Sequence, residues 1–199
     1  MIHHVPRKLS MLVSIATFLV VLWSCQSNQT PAPFDAAVWM QRGDSITKIT
    51  FDTLRNTLMR TLADSGFSAA IGVCQTGAEA LTNSYVGEGV SVRRTTLKPR
   101  NAANAADTME MRLLQAMAKL QAAGTSPTPV VEQSADGKAH YFKPIMLQAL
   151  CLNCHGQPQT DIKPEVWQAL QKAYPADSAH GYHEGDLRGM WHVVFASDK

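Results

Sequence analysis

A chain of 199 residues is long enough to bury one real core and too short to join a sensor domain to an output domain of ordinary size. Its formal net charge is only +2, and setting aside Arg7 and Lys8 near the start leaves as many basic as acidic residues, from totals of 18 and 16. No global field remains to draw in nucleic acid or anionic lipid, so a nucleic-acid partner is not expected.

The chain opens MIHHVPRKLSMLVSIATFLVVLWSC. Basic residues followed by an apolar run over residues 11–23 read as an export signal, residues 1–24. The run is shorter than the roughly 20 residues of a spanning helix. Its end, Leu-Trp-Ser-Cys, resembles the lipobox of bacterial lipoproteins, which makes Cys25 the expected lipid attachment site and first mature residue. An uncleaved anchor and an ordinary secretory signal are the alternatives. Residues 25–43 then form a polar tether, and residues 44–199 the folded domain, exported and membrane-anchored on the periplasmic side or at the outer membrane.

Along that domain, Ile46, Ile49, Leu54, Leu58 and Leu62 recur near helical spacing, with Asp44 or Ser45 as N-cap. After Gly66, a second helix is expected to put Ile71, Cys74, Ala78 and Leu81 on one face. Residues 89–96 alternate and are rich in Val and Thr, which predicts a strand. A polar loop leads to a helix capped by Asp107 or Thr108 and stopped at Gly124. Residues 128–145 predict a hairpin turning at Asp136-Gly137. A helix carrying Cys151 and Cys154, another over 163–175 and a closing strand over 187–195 complete an α+β reading: long N-terminal helices and a small antiparallel sheet.

The four cysteines are Cys25, Cys74, Cys151 and Cys154, and if Cys25 carries lipid the other three cannot pair off. Cys151-Leu152-Asn153-Cys154-His155 offers another use of sulfur, since Cys-x-x-Cys-His is the attachment signature of c-type haem. Two thiols at that spacing add to the two vinyl groups of one porphyrin, and the adjacent His155 then presents its imidazole to the iron. A zinc half-site lacks a second ligand pair of comparable spacing, and the preceding YFKPIMLQAL suits a thioredoxin-like motif poorly.

The sixth iron position has several candidates. Cys74 is the leftover thiol on an apolar helix face, either a small core hydrophobe or a ligand that ferric iron would hold as thiolate. His140, His192, Met146 and Met190 are rivals. Haem brings two propionates, which Arg94, Lys98 and Arg100, with Asn101 and Asn104, are candidates to meet; Arg188 is a further one, and a solvated loop is the plainer reading.

The segments VRRTTLKPRNAANAADTME, CLNCHG and GYHEGDLRG, together with Cys74 and an alanine four residues on, resemble the Tll0287-like family of haem-binding domains over roughly residues 44–195. The resemblance implies a PAS-like α+β fold holding one covalent c-type haem, found in extracytoplasmic sensors and as a stand-alone protein. It matches Cys151, Cys154 and His155 to the attachment motif, Cys74 to a second axial ligand, and Arg94, Lys98, Arg100, Asn101 and Asn104 to a polar loop. The leading expectation is a non-enzymatic redox or small-ligand sensor that passes its signal to an unidentified redox or signalling partner. An electron-transfer mono-haem cytochrome is the alternative. A haem peroxidase would need a distal His/Arg pair that the sequence does not offer.

Overall fold

The computed structural model describes residues 33–74 and 89–196, and Asp35–Lys199 forms one compact unit. The expected signal segment, Cys25, Ala78 and Leu81 lie outside the described residues. Among the described residues no helix is long and apolar enough to cross a membrane.

Helix α1 spans Ala36–Gly72 and begins well before Asp44, because Asp35 Oδ1 accepts from Ala37 N at 2.9 Å and satisfies one of the orphan donors of the first turn. The last part of the expected tether is therefore helical. Its early turns have a reason to order: the Trp39 ring packs on Phe195 with centroids 5.0 Å apart. The two expected helices are one run bent at Gly66, whose φ of 74° and ψ of −173° only glycine adopts without strain.

Strands β1 (Val90–Thr95), β2 (Val130–Gln133), β3 (Ala139–Met146) and β4 (Leu187–Phe195) form one antiparallel sheet in the order β1-β4-β3-β2. The β2–β3 hairpin turns at Asp136 and Gly137, with Gly137 at φ 82°. Helix α2 (Thr108–Ala122) carries a reciprocal capping box: Glu110 N donates to Asp107 Oδ1 at 2.8 Å and Asp107 N to Glu110 Oε2 at 2.9 Å. The cysteine motif lies on a 3-10 turn, Ala149–Cys151, running into the short helix α3 (Leu152–His155). Helix α4 (Pro164–Ala173) follows, with Pro164 at its first position.

The two faces of the sheet have different partners, as the two-residue period of a strand requires. One face meets α1. There Tyr141 is fully buried, its hydroxyl donates to Asp44 Oδ1 at 2.6 Å, and Lys143 Nζ adds a bond to the same oxygen at 2.8 Å. Gly43 lets α1 come this close, because a Cβ there would overlap the Tyr141 ring.

The other face meets α2, whose Leu113, Leu114 and Met117 pack on Phe142 and Met190. Glu110, fully buried at this interface, accepts from Thr95 Oγ1 at 2.9 Å and from His192 Nδ1 at 2.7 Å, and His192 Nε2 meets His140 Nδ1 at 3.0 Å. Burial alone would raise the Glu110 carboxyl, but the bonds from His192, Asp107 and Thr95, with the Arg93 charge, outweigh it and hold the group below the ordinary glutamate value.

Two outcomes follow from these contacts. Gly43→Ala should lower stability by about 1–3 kcal/mol in urea unfolding, since Tyr141 is anchored at its hydroxyl and has nowhere to move. Glu110 has a depressed folded value, so its contribution is present above the unfolded value of about 4.3 and is lost as pH falls through the folded one. Glu110→Gln should therefore lower stability at neutral pH and flatten the acid limb of the stability curve below about pH 4.3, read from urea midpoints across pH.

Candidate functional site

Between α1, the ends of β1 and β4, and the cysteine turn lies a cavity of about 220 Å³, far beyond the room that a trapped water needs. Its wall is apolar, with Leu54, Leu58, Leu62, Phe67 and Ile71 from α1 facing Leu150 and Trp191. Cys74, Cys151, Cys154 and His155 all open onto it. The same lining holds Arg55, Arg94, Arg100 and Arg188 and, among the described residues, no Asp or Glu.

The cysteine turn is shaped by its own backbone. Cys151 N donates to Gln148 O at 2.8 Å, Asn153 Nδ2 to Leu150 O at 2.9 Å, and Gly156 N to Leu152 O at 2.9 Å. A Cβ on Gly156 would crowd the Asp161 side chain and come 2.8 Å from Leu152 O, so glycine ends this turn. Cys151 and Cys154 are free thiols, and Cys154 is pushed up to about 11, by burial first.

His155 is held from behind. Its Nδ1 donates to Ala179 O at 2.7 Å, and its carbonyl accepts from Tyr182 N at 3.1 Å. With Nδ1 committed as the donor, Nε2 carries the free lone pair. Burial drives the imidazole well below its ordinary value, Arg100 and Arg188 add to that, and only the Ala179 carbonyl opposes it. The ring is neutral at pH 7 and able to ligate a metal.

Arg100 links the turn to the segment behind His155. Its Nε donates to Asp177 Oδ2 at 2.9 Å, and one terminal nitrogen donates to Cys154 O at 2.5 Å and Ala179 O at 3.2 Å. Asp177 Oδ1 in turn accepts from Ala179 N at 2.7 Å. Both partners are largely buried, at 10% and 4% side-chain exposure, which puts the pair in the class where losing one member is expensive.

Cys74 sits one residue beyond the cap of α1. Burial raises its thiol, while Arg94 and then Arg100 pull it part of the way back. Arg94 shows the converse: burial works against its charge and Cys74 supports it.

The expected polar loop divides. Arg94, Arg100 and Asn104 line the cavity. Lys98 and Asn101 do not: Lys98 Nζ donates to His180 O at 2.8 Å over the Tyr182 ring, and Asn101 Oδ1 caps the next 3-10 turn by accepting from Ala103 N at 3.0 Å. In these positions they brace the loop. Asp177 and Ala179 carry as much of the site as the motif does, and neither has a local sequence signature. Arg188, only a secondary expectation, enters the cavity fully engaged on one side: a terminal nitrogen donates to Thr96 Oγ1 at 2.8 Å and Lys98 O at 3.1 Å.

The rival sixth ligands are elsewhere. His140 and His192 are bonded to each other and to Glu110 on the α2 face, and Met190 packs among the α2 residues. None of these, nor Met146, lines the cavity. Among the described residues no three His, Cys, Asp or Glu side chains are arranged to clasp a bare metal ion.

Residues 24–196 match the model of the Tll0287-like family, described as Tll0287. Among solved structures, the crystal structure of the cyanobacterial heme-protein Tll0287 is similar with a TM-score of 0.54 and 22% identity, over 80% of this chain and 96% of that one. Likeness at this identity is one of fold. No curated protein matches at a significant level.

The Arg100–Asp177 pair gives a direct test of how the site is held. Asp177→Asn leaves a buried guanidinium without its carboxylate and should cost about 3–5 kcal/mol in urea unfolding. Amide exchange at Ala179 and Tyr182 should speed up more than exchange in the sheet, because those amides belong to the segment that the pair secures.

Proposed function

The chain belongs to the Tll0287-like family, and we propose that it carries one c-type haem on Cys151 and Cys154 and acts outside the cytoplasm as a lipid-anchored redox or small-ligand sensor. One observation carries the reading. A single cavity brings together both motif thiols, the free Nε2 side of His155 and Cys74, within an apolar wall studded with arginines and with no carboxylate among the described lining residues. That lining suits a flat apolar body with anionic tails, which describes haem. The solved relative is by its title a heme-protein. Among the described residues no side-chain cluster suits a bare ion, whereas two lone ligands, His155 and Cys74, would suit an iron supplied within a macrocycle.

Haem would supply one-electron redox chemistry and an axial position open to exchange. The chain's own residues define how that chemistry is framed. Cys151 and Cys154 fix the group to the turn, and the Ala179 carbonyl sets the tautomer and orientation of His155. Cys74 would add a thiolate, which favours the ferric state and lowers the potential. The apolar α1 wall would cover one side of the bound group and strengthen the charge interactions beneath it.

The two proposed axial groups are held unequally, and this favours a sensor. His155 is fastened through Ala179, Tyr182 and, one step away, Arg100. Cys74 stands at the end of a helix already bent at Gly66, with burial opposing its thiolate. Release on the Cys74 side would shift that helix end and offer a partner protein a changed surface. Residues 1–25 supply the expected export signal and, at Cys25, the lipid anchor.

The test is a redox titration of the mature full chain followed by absorbance and EPR, with and without carbon monoxide, on protein whose pigment has survived acid–acetone extraction. The pigment should stay with the polypeptide, the oxidised protein should be low-spin with thiolate character, and Cys74→Ala should raise the potential while keeping the pigment. The reduced protein should take up carbon monoxide. Extraction of the pigment would end the covalent reading, an unchanged spectrum in Cys74→Ala would remove Cys74 from the iron, and refusal of carbon monoxide would make the protein an electron carrier.

A further inference from the structure

Strand β4 does not keep a simple alternation. Trp191, Val193 and Phe195 run along the α1 and cavity side, and Met190 and His192 along the α2 side. Continued backwards, that alternation would put Arg188 beside Met190, away from the cavity. The pairing with β3 slips just here: Ile145 pairs with Gly189 but Met146 with Leu187, so Arg188 is an extra residue in the β4 ladder. A bulge of this kind re-aims a side chain, and this one turns Arg188 into the cavity. Gly189 makes the bulge possible, because a Cβ there would run into Thr95 O on β1.

Arg188 is then fixed on one side and unmatched on the other. Thr96 Oγ1 and Lys98 O hold one terminal nitrogen, Thr96 Oγ1 donates back to Arg188 O at 2.7 Å, and the guanidinium lies 5.6 Å from the Tyr182 ring centre. Its Nε, fully buried, has no hydrogen-bond partner among the described residues. Arg94, on the neighbouring strand, is likewise without a carboxylate partner among the described residues and lies over the Trp191 ring at 5.9 Å. Among the described residues Arg100 alone of the cavity arginines has such a partner, and its Nε and one terminal nitrogen are taken by Asp177, Cys154 O and Ala179 O. Buried guanidinium groups without counter-charges are unfavourable unless the ligand brings the charges.

We propose that Arg188, presented by this bulge, and Arg94 form a built seat for the two carboxylates of the bound porphyrin. This seat, which rests on the haem reading above, stands in place of Lys98 and Asn101, which do not line the cavity. Arg188 has the stricter geometry, because its fixed terminal nitrogen leaves Nε and the other terminal nitrogen to form a two-pronged bond with one carboxylate.

The seat can be tested apart from attachment. In the full chain with Cys151→Ser and Cys154→Ser, porphyrin binds reversibly and is titrated as ferric protoporphyrin IX and as its dimethyl ester, followed by Soret absorbance and quenching of tryptophan fluorescence. The diacid should bind about tenfold or more tightly than the diester. Adding Arg188→Gln should remove most of that preference and leave diester affinity within about twofold, which also shows that the cavity still folds. Arg94→Gln, which breaks no hydrogen bond seen in the structure, should act the same way and decides the matter if the Arg188 variant does not fold. Equal binding of the two porphyrins by the starting protein, or equal weakening of both by the arginine variants, would overturn the seat. If neither porphyrin binds the starting protein, the haem reading falls, and the seat with it.

Discussion

The guanidinium groups facing one largely apolar cavity, and how each is satisfied, organise the rest of this molecule. A charge buried against leucines and an isoleucine must find hydrogen bonds and a counter-charge or the fold does not close around it. Arg100 finds Asp177, and in doing so fastens the cysteine turn to the segment behind His155. Arg188 finds Thr96 and the Lys98 carbonyl, and needs a bulge in β4 to reach them. Arg94 finds no carboxylate among the described residues, and its charge is supported by Cys74 and Tyr174. The apolar wall that makes these demands severe is α1, and α1 stays on the sheet through Asp44, Tyr141 and Lys143 and the close approach at Gly43.

The sheet separates two polar systems that composition alone would mix. Glu110, His192 and His140 form a chain of bonds on the α2 face, with every partner supplied by the protein itself. Their mutual satisfaction is why His192, for all its suitability as a ligand, is not on offer to the cavity. Thr95 is the residue common to both sides: it borders the cavity, and its hydroxyl reaches Glu110.

What could be read from the sequence was whatever is encoded within a few residues. The cap at Asp107, the Asp136-Gly137 turn, the alternation over residues 89–96 and the Cys-x-x-Cys-His spacing are all local, and each stands where the pattern puts it. The start of α1 was hidden because Asp35 and Asp44 are equally good caps in isolation, and the choice falls to Trp39 meeting Phe195 from the far end of the chain. Lys98 and Asn101 look like Arg94 and Arg100 in composition, and only the path of the loop tells bracing from lining. Asp177 pairs with Arg100 across a separation of 77 residues, beyond any local pattern. Arg188 was the hardest to place, since one extra residue in a ladder reverses which face a side chain takes.

The proposed occupant closes the electrostatics in a way that bears on which axial group yields. Arg94 and Arg188 bring two positive charges that the cavity wall does not balance, Arg100 is neutralised by Asp177, and Arg55 is exposed at the rim. A ferric porphyrin core carries one positive charge, its two carboxylates carry two negative ones, and a Cys74 thiolate adds a third. Those four contributions and the two arginines sum to neutrality, so the oxidised state would sit in a balanced cavity. One added electron upsets that balance by one negative charge in a medium that screens it poorly. Of the two axial groups, His155 is neutral and braced by the protein, whereas Cys74 is the anion whose burial is already unfavourable. On this reading the strain of reduction would fall on the sulfur at the end of α1 rather than on the braced imidazole.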